Sequence, residues 1–188
     1  MENQFEEQGI EFKIITEDMM ESVCDFMWEN FFPDEPIARS LNVTRNKNID
    51  DGYIKDAIND GSSMAALDKD GIIIGVRLGK RKKKSQWLQK IFERAFVSLP
   101  YGLMRCIYGN RLTIFLKLLN LVGYDVWKMF EQLGSDQIYE DAAVCTAKGS
   151  RMKGLGTELC RRTDLFAKEQ GCTHTYAFIS GNILIKNL

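Results

Sequence analysis

A single histidine, His174, and five cysteines with no pair at CxxC spacing leave this 188-residue chain without the usual ingredients of a zinc site. The cysteines (Cys24, Cys106, Cys145, Cys160 and Cys172) are odd in number and widely spaced, which reads as reduced, partly buried thiols of a cytosolic protein. Neither sign of charge is in excess. Lys and Arg number 25 against 26 Asp and Glu, for a net charge of −1, so nothing steers the whole molecule toward nucleic acid or an anionic membrane. Any ionic partner has to be selected by a local patch. Long hydrophobic runs are missing too. The most apolar later stretch, residues 112–127, is interrupted by Lys117, Asn120 and Asp125, and falls short of the ~20 apolar residues a bilayer span needs. The acidic N-terminus, with Glu2, Glu6 and Glu7, has no basic start or apolar run and is not a signal peptide. Prolines number only three, and there is no Pro/Ser-rich linker or internal repeat. The expectation is one cytoplasmic domain over residues 1–188, with neither nucleic acid nor membrane as a partner.

An apolar share of 45% is enough for a core. Ile10, Phe12 and Ile14 alternate with polar neighbours, the mark of a strand with one buried face. Thr16 is then placed to cap a helix whose first turn carries Glu17 and Asp18. Met20, Val23, Met27 and Phe31 share one side of that helix, and Pro33 and Pro36 end it. A second helix is predicted over residues 49–59, with Gly61 beyond it. The apolar runs 63–67 and 72–78, joined by Asp68, Lys69, Asp70 and Gly71, signal a hairpin. Residues 85–133 carry helical periodicity broken at Pro100 and Gly109. A strand over 138–146, a helix over 155–170 stopped by Gly171, and a strand over 173–179 follow. This order predicts an α/β (α+β) domain with a mixed sheet. The last two strands flank a helix and are expected to run parallel.

The chemistry concentrates where the strand ending near Thr146 leads to Arg151, Met152, Lys153, Gly154, Leu155 and Gly156 at the opening of a helix. Free backbone N–H groups and the helix dipole make such an end an anion site, and glycine lets the main chain approach a phosphate. A P-loop needs Lys before Ser/Thr, but Thr157 follows Gly156 directly. A dinucleotide fingerprint needs a third Gly or Ala, and Leu159 stands there. A structural strand–turn–helix without a ligand remains open on spacing alone.

The fuller pattern Arg151-x-x-Gly154-x-Gly156 resembles the acetyl-CoA signature (Arg/Gln-x-x-Gly-x-Gly/Ala) of the GNAT acetyltransferases, and the order of elements is similar across most of the chain. The segment Phe31-Phe32-Pro33-Asp34-Glu35-Pro36 resembles the Phe-Phe-x-x-Glu-Pro of the insect-type arylalkylamine N-acetyltransferases, the dopamine N-acetyltransferase-like enzymes. The resemblance implies a GNAT fold and acetyl transfer from acetyl-CoA to a primary amine, an arylalkylamine such as dopamine, serotonin, tyramine or octopamine. It implies that amides from Arg151 to Thr157 hold the pyrophosphate, and that the main chain of Val144, Cys145 and Thr146 pairs with the pantetheine arm. It makes Glu35 the catalytic base, with Ser180 a further candidate in amine handling or thiolate reprotonation. No metal is implied. The other reading of Asp34 and Glu35 is decoration of a proline-bounded turn.

Arg77 and the residues 80–84 (Lys, Arg, Lys, Lys, Lys) form a basic run with no interleaved aromatic, expected to be a solvated loop after a hairpin strand. His174, in a strand of threonines and aromatics, is expected to be an ordinary strand residue. Phe31, Phe32 and Tyr101 are candidates for an aromatic amine pocket or for core. The resemblance also implies a helix and two further strands beyond residue 179, where this chain has only residues 181–188. It therefore reads as C-terminally incomplete, with an exposed sheet edge and activity in doubt. Alternatively, residues 181–188 supply a substitute edge strand, or a second subunit swaps strands in, so the chain is expected to be a monomer or a strand-swapped dimer.

Overall fold

A computed structural model describes residues 2–45, 51–85, 126–151, 153–179 and 182–188, together with Leu103 and Ile114. The first half holds α1 (Glu2–Glu7), β1 (Glu11–Ile14), α2 (Met20–Asn30), α3 (Pro36–Ser40), α4 (Gly52–Asn59), β2 (Met64–Leu67) and β3 (Ile73–Lys83). The second half holds α5 (Val126–Leu133), β4 (Gln137–Thr146), α6 (Leu155–Glu169), β5 (His174–Ile179) and β6 (Asn182–Asn187). The six strands form one mixed sheet in the order β1-β2-β3-β4-β5-β6. All neighbours are antiparallel except β4 and β5, which run parallel on either side of α6 as the sequence predicts.

The β2–β3 turn is local chemistry. Asp68 Oδ1 accepts from the Asp70 and Ile72 amides at 3.0 and 2.9 Å, and Gly71 takes the left-handed φ of +77° that this turn requires. Helices then cover both faces of the sheet. On one face Val23 and Met27 of α2 and Ile54 and Ile58 of α4 pack with Val76, Leu78 and Ala143. On the other, Leu155 and Leu159 of α6 meet Phe5, Met64 and Ala66. Gly75 allows that approach, because a Cβ there would stand 2.9 Å from Leu159 Cδ1. Helix α5 brings Met129 and Phe130 against Ile138 and Tyr176. Apart from Ser85, Leu103 and Ile114, the remainder of 85–133, including Tyr101, Pro100 and Gly109, lies outside the described residues.

Three local expectations are corrected. Thr16 precedes a short 3-10 turn (Glu17–Met19), and its hydroxyl donates to Asp18 Oδ1 at 2.6 Å instead of accepting a backbone amide. Pro36 begins a helix as well as following the end of one. It occupies the first position of α3, where its missing N–H is no loss, with Glu35 as the N-cap. The basic run is not a solvated loop. Strand β3 continues to Lys83 opposite Gln137, Arg77 is only 2% exposed, and the acids that answer Lys80, Arg81 and Lys82 come from elsewhere in the fold. Lys80 meets Asp56 at 2.6 Å, Arg81 meets Asp60 at 3.1 Å, and Lys82 lies 3.6 Å from Glu140. At the far end, β6 pairs with the full length of β5, from His174↔Asn187 to Ile179↔Asn182.

Candidate active site

Strand β4 has two unlike halves. Residues 138–141 pair with β5, the last match being Asp141↔Ala177. On the other side β3 follows β4 to Thr146. Among the described strands, residues 142–146 are therefore paired on one edge only, while Phe178 and Ile179 of β5 pair with β6 alone. A bulge sits at the parting. Leu78 faces Ala143 and Gly79 faces Asp141, leaving Ala142 as the extra residue. Gly79 is obligatory there. A Cβ would lie 2.2 Å from Tyr139 Oη and 2.6 Å from Glu140 O, and the Tyr139 hydroxyl is fixed by donating to Ser62 O at 3.0 Å.

Beyond Thr146 the chain makes a 3-10 turn (Lys148–Ser150), passes Arg151 in extended conformation, and enters α6 through Gly154. Gly154 is the N-cap in the left-handed region, φ +79°, which glycine adopts without strain. The helical bonding begins with Glu158 N–H to Gly154 O at 3.0 Å, so the amides of Leu155, Gly156 and Thr157 belong to the open end of a 15-residue helix. That end lies over the half-paired part of β4. A Cβ on Gly156 would be 3.8 Å from both Val144 Cγ1 and Thr146 Cγ2. Donor end and open strand edge are thus adjacent, the arrangement a phosphate on an extended arm requires. Leu155 can offer only its amide, since its side chain is core.

The other wall comes from the N-terminal motif. Helix α2 ends at Asn30, a turn follows, and half-buried Glu35 caps α3 by accepting the Ala38 amide. Arg151 ties this loop to β4. Its guanidinium pairs with Asp34 at 2.7 Å and donates to Asn30 O at 3.1 Å and Thr146 O at 3.3 Å. The Arg151 hydrogen bond holds the Asp34 carboxyl below the usual carboxylate range. Trp28 stacks on Phe32 with centroids 4.0 Å apart, and Phe32 meets the edge of Phe31. A cleft of about 330 Å³ results. Asn30, Phe31, Asp34, Glu35 and Pro36 line one side, and Val144, Cys145, Thr146 and Arg151 the other. Burial pushes the Cys145 thiol up to about 11, so it stays protonated at neutral pH and is a poor nucleophile.

The fold therefore brings Glu35 to Val144, Cys145, Thr146 and Arg151 in one cleft, with Gly154, Gly156 and Thr157 at the adjoining helix end. Lys153 is exposed and does not line the cleft. Met152 and Ser180 lie outside the described residues. His174 sits on β5 away from the cleft, with its Nδ1 2.7 Å from the Thr173 hydroxyl. Sequence reasoning missed the side chain of Arg151 and its partner Asp34. Their opposite charges were a signal, but nothing in the spacing says that they meet. Among the described residues no group of three or more His, Cys, Asp or Glu is placed to hold a metal ion, and no helix is long and apolar enough to cross a membrane.

Sheet order, parallel β4–β5 pair and the turn into α6 define the GNAT acyltransferase fold. The solved structures that share it include arylalkylamine N-acetyltransferase 2 from Aedes aegypti, 22% identical with a TM-score of 0.71 over 89% of this chain and 74% of that one. Mosquito arylalkylamine N-acetyltransferase like 5b is 16% identical, with a TM-score of 0.64 over 89% and 75%. The polyamine N-acetyltransferase of Drosophila melanogaster, which forms N-acetylagmatine, is 13% identical, with a TM-score of 0.66 over 89% and 75%. At these identities the likeness is one of fold. No family model matches the chain, and no curated protein matches it significantly.

Proposed function

We propose that this protein transfers acetyl from acetyl-CoA to a primary amine, an arylalkylamine, by direct attack with Glu35 as the base. One observation carries the reading: a single cleft joins Glu35 to the half-paired end of β4, and the open end of α6 lies against that same stretch of β4. Acetyl-CoA supplies an acyl group activated as a thioester. The main chain at residues 144–146 has the free edge to pair with its pantetheine arm, and the amides of Leu155, Gly156 and Thr157 suit its pyrophosphate. An alkylamine with a pKa near ~10 arrives as a cation and has to lose a proton before its nitrogen can attack. Glu35 attracts the ammonium and accepts that proton; the freed nitrogen then bonds to the thioester carbonyl carbon, the C–S bond breaks, and the CoA thiolate leaves as the thiol with the second nitrogen proton. Asp34 is unavailable for this, because Arg151 engages it. Protonated Cys145 argues against a covalent relay through the cleft thiol. Phe31 offers the amine an aromatic wall, which favours arylalkyl over purely aliphatic acceptors, although both classes of enzyme occur among the structural neighbours.

The test is thiol release from acetyl-CoA by the purified chain, with tyramine, dopamine, serotonin, octopamine and agmatine as acceptors. Aromatic amines are expected to exceed agmatine in kcat/KM. Acetyl-CoA binding by calorimetry with no amine-dependent thiol release would leave a binding module in place of an enzyme. Agmatine as the best acceptor would overturn the aromatic assignment.

A further inference from the structure

Among the described residues Arg77 ranks first in size of the fully buried side chains, and the proposed reaction does not use it. It leaves β3 toward α6. Its Nη1 donates to Asp164 Oδ1 at 2.7 Å and to Cys160 O at 2.6 Å, and its Nη2 to Asp141 Oδ2 at 3.0 Å. The guanidinium carbon lies 5.3 Å from the centre of the Tyr139 ring. Lys186 of β6 reaches the second oxygen of Asp164 at 2.9 Å. One buried cation thus ties β3, β4 and α6 together, and β6 joins through Asp164.

Stability alone is a weak reason for such a cluster. Removing charges from water is costly, and apolar side chains of similar volume often pack a buried site as well or better. The satisfaction is also incomplete, since Arg77 Nε and Asp141 Oδ1 have no hydrogen-bond partner among the described residues. What the cluster does have is position. Asp141 is the last residue of β4 that pairs with β5, and the bulge residue Ala142 follows it. A planar guanidinium holding a carboxylate on β4 and a carboxylate and carbonyl on α6 cannot follow a shift of β4 without losing bonds on one side. We infer that Arg77, with Asp141 and Asp164, is a positioning group that fixes where β4 parts from β5 and so keeps residues 142–146 as an ordered open edge. What that edge is for rests on the proposed function; where it is held does not.

The experiment compares the full chain with Arg77→Met/Asp141→Asn/Asp164→Asn, which removes all three charges together and leaves no buried ion unpaired. Two readouts separate the ideas. Amide hydrogen exchange in the free protein reports the edge itself, and acetyl-CoA affinity with the KM and kcat split reports its use. The neutral variant is expected to fold and to exchange residues 142–146 at least tenfold faster, with residues 76–78 still protected. Its KM and Kd for acetyl-CoA should rise about tenfold, with amine KM and saturated kcat little changed. Arg77→Lys should recover part of the exchange protection. Wild-type exchange at 142–146 in the folded neutral variant overturns the proposal. If that variant does not fold, Asp141→Asn, which leaves Arg77 paired with Asp164, carries the test: roughly threefold faster exchange is expected there, and no change overturns it. Faster exchange in a protein that never binds acetyl-CoA would keep the positioning role and sink the proposed function instead.

Discussion

The two halves of β4 belong to one strand, yet they serve opposite ends. Residues 138–141 have strand partners on both edges and bury Ile138 and Tyr139 completely. Among the described strands residues 142–146 keep only β3 as a partner, and Val144, Cys145 and Thr146 line a cleft. Backbone groups satisfied on both sides stabilise the fold but offer nothing to a ligand. A half-paired edge is the reverse: it leaves donors and acceptors ready for an extended ligand. The bulge at Ala142 is the hinge between these roles, and substitutions on either side of it should fail in different ways.

The largest effect is expected in the paired half. Gly79→Ala places a Cβ against a fixed hydroxyl and a backbone carbonyl, neither of which can retreat. Destabilisation of ~3 kcal/mol is expected, a fall in Tm of roughly 6–12 °C for a chain of this size. Adding Tyr139→Phe removes the hydroxyl and should recover part of the loss. A wild-type Tm for Gly79→Ala would mean that the bulge is not built as described.

In the open half the fold should survive and function should not. Glu35→Gln keeps an oxygen to cap α3, so thermal melting should hardly move, while kcat falls roughly 10²-fold. Acetyl-CoA affinity should be unchanged, since Glu35 stands on the other wall of the cleft. Full turnover in the variant at neutral pH would remove Glu35 from the mechanism.

The helix end is next. Gly154→Val forces a β-branched residue to φ +79°, and acetyl-CoA should bind about tenfold more weakly. Gly154→Asn, which tolerates that region, should retain most of the affinity. Gly156 makes a sharper contrast, because the protein itself has room for its Cβ. Gly156→Ala should melt like the wild type, so lost affinity there, read by calorimetry, would report crowding of the ligand alone.

The smallest effect concerns acid stability. Hydrogen bonds from Arg161 and then Arg162 lower the Glu158 carboxyl from 4.5 to about 2. A folded value below the unfolded one gives stability that is full above pH 4.5 and drains away as pH falls toward 2. Glu158→Gln should flatten that limb of a Tm-against-pH curve. An unchanged slope between pH 4.5 and 2 would show that the carboxylate contributes nothing to it.

Much of this was legible in the sequence because the signals are local. Alternation at Ile10, Phe12 and Ile14, the Asp68–Gly71 turn, and Gly171 after a helical run report backbone preferences of a few adjacent residues, and β1, β2–β3 and α6 form accordingly. The same holds for Gly154, whose left-handed angle favours glycine. Reading failed where a residue's environment arrives from far along the chain. Residues 80–83 look like a solvated run until α4 brings Asp56 and β4 brings Glu140. Thr16 is a local failure of another kind: its hydroxyl turns to Asp18, two residues on, instead of to a backbone amide.

The sequence by itself thus determined the order of β1, α2, α4, β2, β3, β4, α6 and β5, the parallel pair around α6 and the glycine-led turn. Only the tertiary structure decided that Glu35 shares a cleft with residues 144–146, that Arg151 reaches back to Asp34 and Asn30, that Arg77 is buried, and that β4 loses its β5 partner after Asp141. The physical reason is range. Propensity and pattern act over a few residues, whereas charge pairing, strand register and the burial of an ion depend on which distant segments the core packing brings to the same place.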